Sequence, residues 1–382
     1  MKELAVYIHI PFCVKKCLYC DFLSKTPCNN EIDGYVDALL KEIRLNAKYA
    51  SDYTVKSIFI GGGTPSLLDA DYIVNILNDL KQAFEIVRKG SYSPKEITIE
   101  CNPGTVDYNK FLAYRSCGIN RISLGLQSAN DNELSMLGRI HTCKQWEEAV
   151  DAAKRAGFSN INTDLISGLP NQTRESFLYS LNKVIEKDIP HISVYSLIIE
   201  EGTPFYDKYN PNRLTEEEYD EWEKEDRFIY DMTHEVLMKH GYKRYEISNY
   251  SKHGYECIHN LVYWNRGDYI GIGLGAASLI NNVRFSNQTD LNEYIKGNNS
   301  YDGYQELSTD ECLAEHIMLG LRKTEGISIN ETDEKYGINL LQEYGNVIDK
   351  WTNLGMLIIE GDRLHCTEQG LSISNSIIVD FL

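Results

Sequence analysis

Over the first two hundred residues, short apolar runs alternate with stretches whose apolar residues recur every three to four positions. LAVYIHI (4–10) is a continuous apolar run and reads as a buried strand. Residues 31–47 then place Ile32, Val36, Leu39, Leu40 and Ile43 on one helical face, with Asn29 and Asn30 as candidate caps. The same exchange repeats: VKSIFI (55–60) and a helix near 69–86, KEITIEC (95–101) and a helix near 107–116. INRISLGLQ (119–127) and a helix at 143–157 follow, then NINTDLI (160–166) and a helix at 173–187, and last HISVYSLII (191–199). The alternation runs to six strand–helix cycles. Such alternation predicts an α/β fold with a parallel sheet and helices outside, and six cycles fall short of a full eightfold barrel.

Beyond residue 205 the pattern changes. Residues 215–240 predict a long charged helix, whose acidic start is a solvated face with a favourable N-terminal charge. YKRYEISNY (242–250) reads as one strand. From 308 the order is helix (309–322), helix (339–353), the strands MLIIE and RLHCT around the turn EGD, and a last helix. That order predicts a small winged-helix-like domain. It has no basic recognition helix and reads as a structural or partner-facing lid. The expected division is a partial barrel over 1–240, a connecting segment over 241–300 and a C-terminal domain over 301–382.

Charge narrows the function. The formal net charge of −18 over 382 residues disfavours a nucleic-acid partner. No run of roughly 18 or more apolar residues exists, so an integral membrane protein is not expected. The N-terminus lacks a signal-peptide pattern, which makes the cytoplasm the default location. Ten cysteines there are not read as a disulfide framework, and most are expected as buried thiols.

Three of them are different. Cys13, Cys17 and Cys20 follow C-x3-C-x2-C directly after the first strand. Three thiolates suit a 4Fe–4S cluster with one iron left open, since full ligation takes four. Zinc is the rival, but a structural zinc site completes four ligands. His9, a fourth candidate, lies within the predicted strand. The other polar candidates also fall at strand ends: GGGTP (61–65) after the second, Glu100 closing the third, Gln127 after the fourth.

With its cysteine motif after the first strand of an incomplete barrel, the chain resembles the radical S-adenosylmethionine (SAM) superfamily. The resemblance implies a radical SAM partial (β/α)6 TIM-like barrel, a cluster on Cys13, Cys17 and Cys20, and SAM chelated to the open iron as the source of a 5′-deoxyadenosyl radical. It implies SAM contacts from Gly62, Gly63, Thr64, Glu100, Gln127, Arg139 and Asp164, with Tyr7 and Tyr19 beside the cluster loop. YIHIPFC, GGGTP, LGLQS, DLISGLP and GIGLGAAS together resemble the coproporphyrinogen dehydrogenase-like (HemN-like) branch over essentially the whole chain. That branch holds dehydrogenases acting on coproporphyrinogen III and haem chaperones of the HemW type. The dehydrogenases carry a further cysteine two residues past the third; here Phe22 stands there, as in the HemW type.

HNLVYW (259–264) resembles the haem-binding motif of that type. It implies haem contacts from His259, Tyr263 and Trp264, with His259 as axial ligand and Cys257 as the alternative. Imidazole is a good haem-iron ligand, and aromatic side chains offer flat surface to a porphyrin. The expected function is therefore haem binding and delivery to acceptor haemoproteins, the family pointing to respiratory proteins at the membrane. No residue is assigned as catalytic, and the alternative is oxygen-independent coproporphyrinogen III dehydrogenation or other radical chemistry on a tetrapyrrole. GIGLGAAS has the wrong glycine spacing for a dinucleotide loop and is expected to pack closely near the cofactor sites. A homodimer, and productive cleavage of SAM, stay open at this stage.

Overall fold

A computed structural model describes residues 1–28, 30–84, 94–298 and 300–382. The barrel half consists of β1 (Lys2–Ile10), α1 (Glu31–Leu45), β2 (Tyr53–Gly62), α2 (Ala70–Ala83), β3 (Glu96–Cys101), α3 (Tyr108–Ser116) and β4 (Arg121–Gln127). It continues with α4 (Asp131–Met136), α5 (Cys143–Arg155), β5 (Asn160–Ser167), α6 (Arg174–Glu186) and β6 (His191–Ser196). Strands β1 to β6 lie side by side in chain order, all parallel.

The alternation has a simple cause. One side of each strand packs on the helices: Ile8, Ile58, Ile99, Leu124 and Ile192 are fully buried there, each stabilising by about 1.5–3 kcal/mol. Thr142 and Gln145 close a capping box at the start of α5, whose Trp146 donates to Thr163 Oγ1 of β5 at 3.3 Å. The other side is polar, carrying Glu96 and Glu100 of β3, Arg121 and Ser123 of β4, and Asn162 and Asp164 of β5.

The chain continues through α7 (Pro204–Tyr209), α8 (Glu216–Lys239), β7 (Lys243–Arg244), β8 (Asn249–Ser251), α9 (Ile258–Trp264), β9 (Tyr269–Ile272), β10 (Ala277–Ile280), β11 (Val283–Asn287), α10 (Leu291–Ile295) and β12 (Tyr301–Glu306). β9 pairs parallel to β1, β10–β12 extend that edge antiparallel, and β8 then β7 extend the β6 edge. The six strands therefore do not close on one another. Segment 241–300, read from the sequence as a connection, supplies five strands of the main sheet.

Three local readings change. YKRYEISNY is not one strand but β7 and β8, because the buried Glu246 carboxylate accepts from Ser248 N at 3.3 Å and turns the chain. β6 ends at Ser196 rather than 199. Asn30 precedes α1 with φ +63° but makes no side-chain cap; Glu31 accepts from Cys28 N at 2.7 Å instead. The candidate cap Asn29, and the end of the helix expected over 69–86, lie outside the described residues.

The C-terminal unit is α11 (Thr309–Gly320), β13 (Ile327–Ser328), α12 (Ile329–Tyr336), α13 (Leu340–Glu343), α14 (Gly345–Asn353), β14 (Leu357–Glu360), β15 (Arg363–Cys366), α15 (Glu368–Ser372) and α16 (Ser374–Val379). β14 and β15 form the expected wing, joined by β13. This unit has its own core around Ile317, Leu340, Trp351 and Leu364. Arg266–Glu315 (2.9 Å), Lys323–Asn265 (2.5 Å) and Arg244–Glu368 tie it to the main sheet.

Candidate functional site

The loop after β1 is pinned where it leaves the strand: Lys25 N donates to Pro11 O and Cys13 N to Lys25 O, both at 2.9 Å. Its middle is held by Leu18, whose N donates to Leu137 O (3.0 Å) and whose O accepts from Phe205 N (3.0 Å). Cys13, Cys17 and Cys20 all line one cavity of about 520 Å³ at the C-terminal ends of the strands. Among the described residues no three His, Cys, Asp or Glu side chains are gathered as for a single ion. His9 is engaged elsewhere, with Nε2 on Leu23 O (2.9 Å) and Nδ1 on Tyr7 OH (3.1 Å).

The glycine segment shapes the same cavity. A Cβ on Gly63 would stand 2.7 Å from Phe12 O and 3.0 Å from Cys13 Sγ, so only glycine fits beside the first thiol. Gly62 has φ +112° and donates its N–H to Glu100 Oε2 at 3.1 Å. Thr64 Oγ1 sits 3.5 Å from Cys13 Sγ. Arg139 reaches Cys17 Sγ at 3.5 Å, Asn102 Oδ1 at 2.5 Å and Gly125 O at 3.0 Å. Its Nε, and Oε1 of Gln127, are buried without a partner. Gln127 holds φ +68° at an irregularity ending β4, an uncommon backbone for a side-chain-bearing residue, and it faces this cavity. Thiols on one wall and unpaired buried polar atoms on another fit a cluster carrying a polar, zwitterionic ligand. Tyr19 lines the cavity too, packed edge-on against Phe205. Sequence reasoning missed Asn102, which bridges Thr64 and Arg139, although it stands two residues past Glu100 in the same strand end.

A second cavity of about 460 Å³ lies next to the first on the polar side of the sheet, sharing Glu100, Ser123, Asp164 and Tyr195 with it. Tyr7 and Phe59 line it from the strands, and His259, Asn260 and Tyr263 from α9. HNLVYW is thus a two-turn helix laid against the inside of the sheet. Glu96 accepts from Ile258 N (3.0 Å), His259 N (3.1 Å) and the Cys257 thiol (3.4 Å), which seats its first turn. His259 is buried, with Nδ1 3.0 Å from Ser57 Oγ and Nε2 2.9 Å from Tyr263 OH. Burial and then the Arg121 charge hold it down to about 3, so its imidazole is neutral. Cys257 is pushed up to about 12, mainly by burial, and is a poor thiolate donor. Trp264 is half-buried at the end of α9 and lines neither cavity. GIGLGAAS, expected close to the cofactor sites, packs against β1: a Cβ on Gly273 would meet Tyr35 OH at 2.6 Å and His9 O at 2.7 Å, and of its residues Ala277 lines the inner cavity.

Burial, with a smaller push from Asp164, raises Glu100 to about 8. Asp164 is raised in the same direction, by burial. Raised carboxyls stabilise the fold fully below their unfolded values, and that contribution is lost as pH climbs through the folded value. The cofactor-free protein is therefore expected to lose stability, on the order of a few kcal/mol at most, between about pH 5 and 8. Urea melts across that window should show the slope, and Glu100→Gln should flatten it. An equal slope in the variant would place the titrating group elsewhere.

The radical SAM superfamily model matches residues 7–184, and the HemN C-terminal domain model matches residues 307–373. Two curated relatives match over the whole chain: a protein named heme chaperone HemW from Haemophilus influenzae, 37% identical with 98% of its own length covered, and one of the same name from Lactococcus lactis, 32% identical with 98% covered. A third so named, from Escherichia coli, is 42% identical over 72% of this chain and 70% of its own. Among solved structures, coproporphyrinogen III oxidase (HemN) from Escherichia coli superposes with a TM-score of 0.82 over the whole chain and 90% of its own, at 22% identity. At that identity the likeness speaks to the fold alone.

Proposed function

The chain belongs to the radical SAM superfamily and, within it, to the HemW family, and from that premise we propose that it binds haem and hands it to acceptor haemoproteins. The cofactors of the family are a 4Fe–4S cluster and SAM. We assign the cluster to Cys13, Cys17 and Cys20, and SAM to the same cavity through Gly62, Gly63, Thr64, Glu100, Gln127, Arg139 and Asp164. Loaded in this way, such a site supplies one-electron cleavage of SAM. The protein's own share is to present the thiols on one loop, fix Arg139 beside Cys17 and hold the Glu100 carboxyl, raised by burial, under the glycine turn. Haem is assigned to the HNLVYW helix, through His259 and Tyr263, which line the inner cavity; Trp264, expected as a third contact, does not line it.

The observation that carries this reading is the likeness to haem chaperones over the whole chain, from the cysteine loop through α9 to the wing. Phe22 supports it, since the dehydrogenase type would place a cysteine there. No described helix is long and apolar enough to cross a membrane. We take the protein to act in the cytoplasm, meeting respiratory acceptors at the membrane through those partners.

The test is an anaerobic haem titration of the reconstituted protein, followed by absorbance. Saturation near one haem per chain, with no decarboxylated product from coproporphyrinogen III, is the expected result. Weak, unsaturable binding together with turnover of coproporphyrinogen III would transfer the chain to the dehydrogenase reading.

A further inference from the structure

Arg121 opens β4 on the polar side of the sheet and lines the inner cavity. It is 2% exposed. Its Nε is buried without a partner, and no carboxylate or carbonyl among the described residues is paired with its two terminal nitrogens. Buried arginines are ordinarily paired, because an uncompensated buried charge costs several kcal/mol. The acids nearby are occupied elsewhere. Glu96 accepts from the start of α9, Glu100 from Gly62 N, and Asp164 from Asn162 Nδ2 (2.8 Å) and Ser123 Oγ (3.3 Å). They surround Arg121 with negative potential yet leave its fork open.

We propose that Arg121 is a binding residue for a carboxylate that enters the inner cavity as one arm of a flat, largely apolar ligand. A guanidinium fork matches a carboxylate with two parallel hydrogen bonds. One arginine suffices for one carboxylate, whereas a phosphate dianion asks for more donors than this wall provides. The rings of Tyr7, Phe59, His259, Tyr263 and Tyr269 form one part of the lining and suit the hydrocarbon part of such an arm, while Glu100, Ser123, Asn162, Asp164 and Ser193 make the strand side around Arg121 polar. Arg121 on the strand side and His259 on α9 face the same cavity, so one ligand can meet both. The carboxylate subsite stands on Arg121 itself. Its assignment to a propionate of haem rests on the function proposed above.

The probes are haem and haem dimethyl ester, which differ only in whether the propionates are free. On the reconstituted wild-type protein, free-acid haem is expected to bind roughly 10- to 100-fold more tightly, the range for hydrogen bonds to a charged group. Arg121→Gln should bind both probes alike, at the affinity of the ester. Arg121→Lys should keep part of the preference, as a point charge without the fork. Equal binding of the two probes by the wild type overturns the proposal, and this arm needs no variant to fold. A preference that survives in Arg121→Gln overturns it as well, since the lysines that line the cluster cavity, Lys15 and Lys16, would then be reading the propionates. If neither probe saturates, the haem reading is what fails, and benzoate decides the subsite. A benzoate-induced rise in melting temperature that Arg121→Gln lacks supports the carboxylate site, and no rise in the wild type overturns it.

Discussion

Cys17→Ala is expected to give a folded protein that reconstitutes no 4Fe–4S cluster. The thiol lies on a loop, half-buried, outside every apolar core cluster among the described residues, so its loss removes no packing that holds the sheet together. It does remove one of three protein ligands from a cluster that already leaves one iron open. Two thiolates cannot hold the cube, and bound iron should fall from about four per chain toward zero. The charge-transfer absorbance should vanish with it. SAM binding should weaken with the iron that chelates it, whereas the far-ultraviolet circular dichroism and melting temperature of the cofactor-free form stay near wild type. Cys28→Ala is the matched control: that thiol is exposed and lines no wall of the cluster cavity, so its variant should reconstitute normally. A Cys17→Ala protein with an intact cluster spectrum would refute the ligand assignment.

This contrast also shows what the sequence makes legible. That the three cysteines would share one cavity could be read because they stand within eight residues of one loop, and spacing survives in a string of letters. The six parallel strands could be read because their outer sides, such as Ile58 and Ile60 or Ile122 and Leu124, are apolar against helices. The inner side was legible only at Glu100 and Asp164. It inverts the usual rule: Arg121, Asn162 and His191 are polar and yet buried, without apolar periodicity in sequence to mark them. Nothing local distinguishes a buried Arg121 from an exposed one. HNLVYW was legible as a motif but not as a helix, because seven residues carry too few turns for periodicity to show. Of the strands in residues 241–300, β7 and β8 were read as one, and β9, β10 and β11 were hidden by their length, four to five residues each.

His259→Ala is expected to weaken haem binding by at least about tenfold and to shift the Soret band, and Tyr263→Phe is expected not to. The structure sets up the comparison. Each ring nitrogen of His259 has a partner, Ser57 on one side and Tyr263 on the other. Iron coordination through Nε2 must replace the Tyr263 hydrogen bond, which is the exchangeable one because Tyr263 faces the cavity. Deleting the phenol oxygen in Tyr263→Phe leaves Nε2 free and the ring wall in place, so affinity should hold or rise. Deleting the imidazole removes the ligand and also strands the Ser57 hydroxyl, at a cost to stability of about 1–3 kcal/mol. Stability loss alone would not move the Soret band of whatever haem still binds; loss of an axial nitrogen would. Two patterns therefore separate the roles. A weakened, shifted Soret in His259→Ala with a normal one in Tyr263→Phe makes His259 the iron ligand. A destabilised His259→Ala that binds haem with an unchanged spectrum makes it a packing residue that seats α9 against Ser57 and Phe59, and moves iron ligation out of this helix.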